Sequence, residues 1–156
     1  MKSCVVIYNP NSGHTLKTKH LKEYKIILEK HGYSARFIGT EYRGHAKEII
    51  SHLDKCDLVI SMGGDGTFNE AVTGNLQRKD RLVLAHIPVG TTNDVGVMFG
   101  YGKDIKRNLS LLLNGVTKEM DICIINGQPF VYVAGFGKFM HIPYQTSRTL
   151  KKKWGY

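Results

Sequence analysis

The densest group of chemically useful residues is Gly63-Gly64-Asp65-Gly66, which directly follows the apolar run at 57–62. Three glycines in four residues let a backbone approach a ligand closely and turn its N–H groups toward it. A helix that starts there adds its positive N-terminal end, which attracts phosphate. Asp65 would repel phosphate unless a divalent cation lies between them, so the loop favours a nucleotide triphosphate with Mg²⁺. The alternative is a tight turn in which Asp65 only caps the next helix.

Three other loops offer groups that suit a nucleotide. Asn9-Pro10-Asn11-Ser12-Gly13 and Pro88–Asp94 each follow an apolar run, and Thr40 follows a third. Their hydroxyl and amide groups can bind a nucleotide, although each one separately also suits turn or capping chemistry. We expect all four loops to meet at one edge of a sheet, and this convergence is more informative than any single motif.

Short β-branched runs alternate with amphipathic segments through the first 115 residues. The pattern predicts strands at 3–8, 33–38, 57–62 and 82–87, and helices at 16–31, 44–53, 67–75, 93–99 and 104–114. Such alternation is typical of an α/β fold, a parallel sheet with helices on both faces and right-handed crossovers. Ligands of open parallel sheets bind outside the carboxyl ends of the strands, where the four loops lie.

The pattern changes after residue 116. Segments 118–125 and 129–135 predict antiparallel strands around Asn126-Gly127, a strong hairpin signal. We therefore divide the chain into an α/β nucleotide-binding domain, 1–117, and the beginning of a β-rich second domain, 118–156, as in a piece of a longer protein. Asp121 interrupts the first of these strands, where a buried carboxylate needs a metal or a hydrogen-bond partner. The unpaired edge of this part could support a homodimer.

Composition narrows the class of partner. Lys and Arg number 22 and Asp and Glu 13, a net charge of +9, which favours an anionic nucleotide, lipid surface or nucleic acid. The basic residues do not alternate with aromatic ones as in single-stranded nucleic-acid platforms, so we expect no nucleic-acid partner. The P-loop, the Rossmann glycine fingerprint, HExxH and GxSxG are absent from the sequence.

The three cysteines and His86 are interpreted as structural residues. Cys4, Cys56 and Cys123 are far apart and odd in number, which argues against a disulfide framework. The sequence has no apolar run long enough to cross a bilayer and no signal-peptide pattern. We therefore expect buried free thiols in a cytoplasmic protein. His86, at the end of an apolar strand, is predicted to be a core histidine.

Taken together, the motifs Asn9–Gly13, Gly63–Glu70 and Pro88–Asp94 resemble the diacylglycerol kinase catalytic domain, and above all its bacterial lipid kinases. The similarity runs in the same order and spacing over essentially the whole chain. It implies a two-domain enzyme that uses ATP and Mg²⁺ to phosphorylate a lipid hydroxyl, with diacylglycerol as the expected acceptor. An NAD-kinase-like enzyme, a sphingoid-base kinase and a nucleotide-binding module without catalysis are the alternatives.

The resemblance also implies roles for individual residues. Asp65 would be the catalytic residue that organises Mg²⁺, and Asp121 would belong to the same magnesium network. His14 stands where bacterial members often carry a basic residue, and Lys17 or Lys19 could replace it. The residues implied to line the ATP site are Asn9, Pro10, Asn11, Ser12, Gly13, Thr40, Gly63, Gly64, Asp65, Gly66, Thr67, Phe68, Asn69, Glu70 and Thr91.

The resemblance places the lipid pocket and the general base in the second domain, beyond residue 156. These 156 residues should then bind ATP weakly and transfer no phosphate to lipid. The basic residues Arg148 and Lys151 to Lys153 could help the kinase meet an anionic membrane from the cytoplasm, or could form a solvated helix face.

Overall fold

The computed structural model describes residues 1–12 and 18–135. The strands are β1 (Lys2–Tyr8), β2 (Tyr33–Gly39), β3 (Leu58–Gly63), β4 (Leu84–Pro88), β5 (Cys123–Ile125) and β6 (Gln128–Phe130). The helices are α1 (Thr18–Lys30), α2 (His45–His52), α3 (Asp65–Leu76), α4 (Asp94–Met98) and α5 (Ile105–Leu113). Strand and helix alternate up to β4, as the hydrophobic pattern predicts.

The first four strands form one parallel sheet in the order β2-β1-β3-β4. The chain leaves β1 toward β2 and then returns to the other side of β1, so the direction of winding reverses between β1 and β3. In the register, Tyr8 pairs with Gly39 and Met62, and Gly63 pairs with Pro88, so the four strands end at nearly the same level. A reversal of this kind opens a crevice at the carboxyl ends of the two central strands.

Both faces of this sheet are covered by helices, which confirms the predicted α/β class. On one face Val6 and Ile60 pack against Leu28 of α1 and Leu109 of α5. The opposite face buries Val5, Ile7 and Val59 against Ala46 and Ile50 of α2 and Ala71 of α3. All six residues of β3 are buried, as expected for a central strand of a parallel sheet.

Helices α2 and α3 are held together at two places. A Cβ atom at Gly74 would collide with the carbonyl oxygen of Lys47, so the helices approach there at backbone distance. Just past α3, the Nη1 atom of Arg78 donates to the carbonyl oxygens of Leu53 (2.6 Å) and Ile50 (2.8 Å). Arg78 thereby adds a charged donor to carbonyl groups at the C-terminal end of α2.

The hairpin is antiparallel, as predicted, but its strands are short. Asn126 (φ 48°) and Gly127 (φ 74°) are both left-handed, the backbone that the Asn-Gly signal favours. Residues 118–122 are not in a strand. The expectation that Asp121 is buried in a strand is wrong, because it is exposed just before β5.

All three cysteines are free, as expected, but only Cys4 is buried. Burial raises the pKa of its thiol to about 12, so this group is unreactive at neutral pH. Cys56 is half-buried, and Cys123 is exposed because it lies in the short hairpin rather than in the main sheet. None of the helices in the described parts of the chain is long and apolar enough to cross a membrane.

Candidate nucleotide site

The four loops predicted to meet do meet at the carboxyl edge of the sheet. The N–H of Asn9 donates to the carbonyl oxygen of Met62 (3.1 Å), and that of Thr40 to the carbonyl oxygen of Tyr8 (2.8 Å). On the other side of β3, the N–H of Val89 donates to the carbonyl oxygen of Gly63 (2.9 Å). These bonds extend the pairing of the strands by one residue, so the loops leave the edge side by side.

The glycine-rich loop runs directly into α3. Gly64, the N-cap residue, is extended, and its carbonyl oxygen accepts hydrogen bonds from the N–H groups of Thr67 (3.0 Å) and Phe68 (3.2 Å). The N–H groups at the very start of α3 have no acceptor within the helix. Because α3 has 12 residues, its N-terminal end also carries the partial positive charge of a full helix dipole. The loop therefore presents donors and positive potential to an anion.

Two glycines bring the third and fourth loops together. A Cβ atom at Gly90 would lie 2.7 Å from the Cα of Gly64, a distance that real contacts do not reach. A Cβ atom at Gly64 would instead meet only the Cα of Gly90, at 3.6 Å, which is ordinary contact. Protein packing therefore requires the glycine at 90, whereas the space in front of Gly64 is open.

Asp65 links α3 to α4. Its Oδ2 accepts a hydrogen bond from the N–H of Asp94 (3.1 Å), and its Oδ1 accepts one from the N–H of Val95 (3.1 Å). The N-cap residue of α4, Asn93, makes no side-chain cap. The alternative that Asp65 caps the helix directly after it is wrong, since Asp65 lies in the first turn of α3 and caps α4 instead.

The carboxylate of Asp65 suits the way in which proteins hold magnesium. Mg²⁺ usually takes one or two protein carboxylates and completes its shell with phosphate oxygens and waters. Each oxygen of Asp65 accepts one hydrogen bond, which leaves further lone pairs for such a role. Across residues 1–12 and 18–135, no three His, Cys, Asp or Glu side chains assemble into a metal site. The described residues thus fit a metal held by one carboxylate and a nucleotide, and not an all-protein cage.

The loop after β1 shapes itself with local hydrogen bonds. The Oδ1 of Asn9 accepts from the N–H of Asn11 (2.9 Å), and the N–H of Ser12 donates to the carbonyl oxygen of Asn9 (3.1 Å). The Asn9 side chain therefore builds the turn, as asparagine does in an Asx turn. Pro10 and Ser12 are half-buried in the same turn, and Thr40 is buried beside it.

The remaining predicted site residues differ in their solvent exposure. Thr91 and Gly66 are exposed at the edge, and Glu70 is half-buried on α3. Thr67 and Phe68 are buried, so their side chains serve packing. Gly13, His14 and Lys17 lie outside the described residues, as does the basic stretch Arg148 to Lys153, and the membrane and homodimer expectations remain predictions.

Asn69 holds a position that sequence reasoning did not foresee. Its Nδ2 donates to the carbonyl oxygen of Pro129 (3.4 Å), and its Oδ1 accepts from the N–H of Val131 (3.2 Å). The partners are about sixty residues away, and no local pattern signals such a contact. The Asn69 amide is thereby engaged with the hairpin.

His86 is a core histidine, as predicted. It is 1% exposed, its ring stacks on Phe68 at 4.8 Å, and its Nδ1 lies 3.1 Å from the carbonyl oxygen of Ser61. Burial lowers the pKa of His86 to about 4, although Ser61 and Asp65 oppose the shift. His86 is therefore neutral at physiological pH. Its ring packs against Phe68, near the start of α3.

Known proteins share both the sequence and the fold. A family model described as the diacylglycerol kinase catalytic domain matches residues 3–125. The chain is 37% identical over 158 residues to a diacylglycerol kinase of Bacillus subtilis (strain 168), covering 99% of this chain and 52% of that protein. A diacylglycerol kinase of Staphylococcus epidermidis is 38% identical over 152 residues, 96% of this chain and 48% of that protein.

A crystal structure of a diacylglycerol kinase from Bacillus anthracis str. Sterne superimposes with a TM-score of 0.70 at 28% identity. The match covers 83% of this chain and 45% of that one. The chain therefore spans about half the length of the relatives that it matches.

Proposed function

Because this chain belongs to the diacylglycerol kinase catalytic domain family, we propose that it carries the ATP-binding part of a lipid kinase that phosphorylates a hydroxyl group of diacylglycerol. The observation that carries the proposal is the meeting of four loops at the carboxyl edge of the sheet, with the free start of α3 among them. This edge combines backbone donors, a helix N-terminus and one oriented carboxylate.

In this proposal the backbone holds the phosphates. The N–H groups of Gly64 and of the first turn of α3 donate to phosphate oxygens, and the missing side chain of Gly64 gives them room. The turn built by Asn9 and the exposed hydroxyl of Thr91 flank the same edge. Catalysis of phosphoryl transfer depends mainly on such positioning and on charge neutralisation.

Asp65 is proposed as the residue that holds Mg²⁺. The metal, when it is bound together with ATP, supplies positive charge against the phosphates. The Asp65 carboxylate is already oriented by two N–H groups of α4, so it needs little rearrangement to act. Family resemblance also implies that Asp121 belongs to the magnesium network. Asp121 is exposed, directly before the hairpin.

We place the lipid pocket and the general base in the half of the relatives with which this chain does not align. Residues 118–135 would then belong to the beginning of that acceptor-binding domain, and residues 1–117 to the nucleotide-binding domain. Of the carboxylates at this edge, Asp65 is engaged with α4 and Asp94 lies in the first turn of α4.

The proposal is tested by titrating this chain with ATP, with and without Mg²⁺, in wild type and in Asp65→Asn. We expect saturable binding that Mg²⁺ strengthens in wild type but not in Asp65→Asn, since one metal-holding charge is removed. Asp104→Asn is the matched control, because Asp104 also accepts from two N–H groups, at the start of α5. If wild type does not bind ATP with Mg²⁺, or if both variants respond alike, the proposal is contradicted.

The acceptor is tested in the natural protein that carries this chain. Phosphate transfer from ATP is measured with diacylglycerol in mixed micelles, a sphingoid base and NAD as parallel acceptors. Transfer to diacylglycerol above the other two is expected. Preference for the sphingoid base or for NAD would assign the chain to one of those kinase types.

A further inference from the structure

The side chain of Asn69 pairs with the hairpin in the way that a neighbouring strand would. It donates to the carbonyl oxygen of Pro129 and accepts from the N–H of Val131, two residues further along. In an extended segment, groups two residues apart face the same side, so one amide can bind both. Both polar functions of Asn69 are thus directed at the hairpin.

Apolar contacts support the same junction. Phe68 and Val72 of α3 and Val95 of α4 form a buried cluster, against which Ile122 and Val131 pack. The hairpin is not hydrogen-bonded into the parallel sheet. Two strands of three residues are marginal by themselves, so the position of the hairpin depends on these contacts with α3.

Asn69 is also close to the glycine-rich loop. It lies four residues after Asp65 on the same helix, about one turn or 6 Å along the axis. A helix transmits a shift of its first turn as a rigid body over so short a distance. Contacts made at residues 63–66 and at the hairpin therefore act on the same end of α3.

We propose that Asn69 is a positioning residue that couples the glycine-rich loop to hairpin β5–β6, so that binding of nucleotide phosphate stabilises the placement of the hairpin. The coupling rests on the proposed function, since it needs phosphate at the loop. This coupling gives Asn69 a role different from the nucleotide contact that family resemblance implies. It also fixes the nucleotide relative to the segment that leads into the acceptor-binding half.

The same arrangement occurs at a second place on α3, which supplies a control. Asn75 donates to the carbonyl oxygen of Leu82 (3.0 Å) and accepts from its N–H (2.9 Å). This pair holds the approach to β4 and does not touch the hairpin. Asn69→Asp and Asn75→Asp therefore make the same chemical change on one helix with different partners.

Asn69→Asp retains the acceptor for Val131 but sets a carboxylate oxygen against the carbonyl of Pro129. Protonation of that carboxyl at lower pH restores a donor, so the damage should be reversible. Asn69→Ala, which removes both bonds and adds no charge, is the second variant. Circular dichroism of each variant verifies that the chain is folded.

The measurement is hydrogen exchange of the Val131 amide by NMR, with and without ATP and Mg²⁺. Without nucleotide, Val131 protection should fall about five- to tenfold in both Asn69 variants and stay unchanged in Asn75→Asp. In Asn69→Asp it should recover, relative to wild type at the same pH, only as the pH approaches the ordinary aspartate pKa of about 4. With saturating nucleotide, protection should rise in wild type and Asn75→Asp and not in the Asn69 variants. Nucleotide affinity in the Asn69 variants should fall by no more than the factor by which nucleotide raises Val131 protection in wild type.

Three results would overturn the inference. Unchanged Val131 protection in both Asn69 variants would show that the side chain does not hold the hairpin. Nucleotide that binds wild type without altering Val131 protection would remove the coupling. Loss of nucleotide affinity in Asn69→Ala with Val131 protection intact would make Asn69 a nucleotide ligand. Absence of nucleotide binding by wild type would instead defeat the proposed function, and the nucleotide-free comparison would still decide whether Asn69 holds the hairpin.

Discussion

At the scale of single residues, glycines in neighbouring loops serve different purposes. Gly90 is required by packing, because a Cβ atom there would overlap the backbone of Gly64. Gly64 itself is extended, with ordinary space around it, so the protein alone would tolerate alanine there. If alanine at 64 weakens function without weakening the fold, the cause is therefore a ligand.

Gly64→Ala should weaken binding of ATP with Mg²⁺ by about tenfold or more, since the added methyl would occupy the space through which the loop backbone meets phosphate. The melting temperature should change little. Gly102→Ala is the control, because Gly102 is exposed, has nothing within 4 Å of its Cβ position and lies in the loop before α5. Calorimetric titration with ATP and Mg²⁺ measures the affinities of the three proteins. Equal affinities would mean that phosphate does not approach Gly64.

His86 predicts an acid-sensitive fold. Its folded pKa of about 4 is below the usual 6.5, so protons bind preferentially to the unfolded chain. The stability contributed by neutral His86 is complete above pH 6.5 and is lost as the pH falls toward 4, by about 3 kcal/mol at pH 4.

The measurement is urea unfolding of wild type and His86→Leu between pH 7 and pH 4. The variant should be less stable at pH 7, where it lacks the contact with Ser61, but its stability should decline less toward pH 4. Parallel pH profiles for the two proteins would show that His86 does not titrate as its burial implies.

At the scale of elements, α3 organises the molecule because it is fixed at both ends. At its start Asp65 holds α4 and Asn69 holds the hairpin, and beyond its end Arg78 holds α2. The glycine-rich loop is thereby attached to a helix that cannot shift freely. Such rigidity is what a phosphate site needs if its donors are to be preorganised.

Arg78→Met should lower the free energy of unfolding by about 2 kcal/mol, since it removes a charged donor from the partly buried carbonyl groups at the end of α2. Methionine keeps most of the aliphatic stem. Arg81→Met, at an exposed position three residues on, is the control and should have little effect. Urea unfolding measures the free energy of unfolding of wild type and both variants. A decrease below about 0.5 kcal/mol for Arg78→Met would show that water replaces the guanidinium adequately.

Elements with a strong local signal could be predicted, and contacts between distant residues could not. The parallel sheet followed from β-branched runs alternating with amphipathic segments, and the hairpin followed from Asn126-Gly127. Strands β5 and β6 are shorter than the segments 118–125 and 129–135 predict, because apolar residues outside them, such as Met120 and Val133, are exposed instead of facing a packed layer. Strand propensity without a partner does not determine a strand.

The site was predictable to the level of its loops and not to the level of its hydrogen bonds. Four chemically suited loops were expected at one edge because parallel strands end there, and the backbone bonds between them show this arrangement. That Asp65 caps a helix 29 residues away has no signature in the sequence, because only the folded chain brings the two together. The same holds for Asn69 and the hairpin.

At the scale of the whole molecule, the two parts of the described chain differ in size and in chemistry. The loops suited to phosphate are at one edge of residues 1–117, while the hairpin is a small addition fixed to α3. The relatives that share this fold are about twice as long. The proposed function therefore assigns nucleotide binding to this chain and acceptor binding to the part of the relatives with which it does not align.

These 156 residues should bind ATP with Mg²⁺ but transfer no detectable phosphate to diacylglycerol. A positioned general base contributes about 10²–10⁴ in rate, and holding the acceptor in place contributes up to about 7–11 kcal/mol more. The carboxylates beside the glycine-rich loop are poor candidates for that base, because Asp65 is bonded to α4 and Asp94 lies in the first turn of that helix. The assay supplies ATP, Mg²⁺ and diacylglycerol in mixed micelles and measures phosphatidate, with a homologous full-length kinase as the positive control. Phosphatidate formation that Asp65→Asn abolishes would place the catalytic base inside this chain and contradict the proposed division of labour.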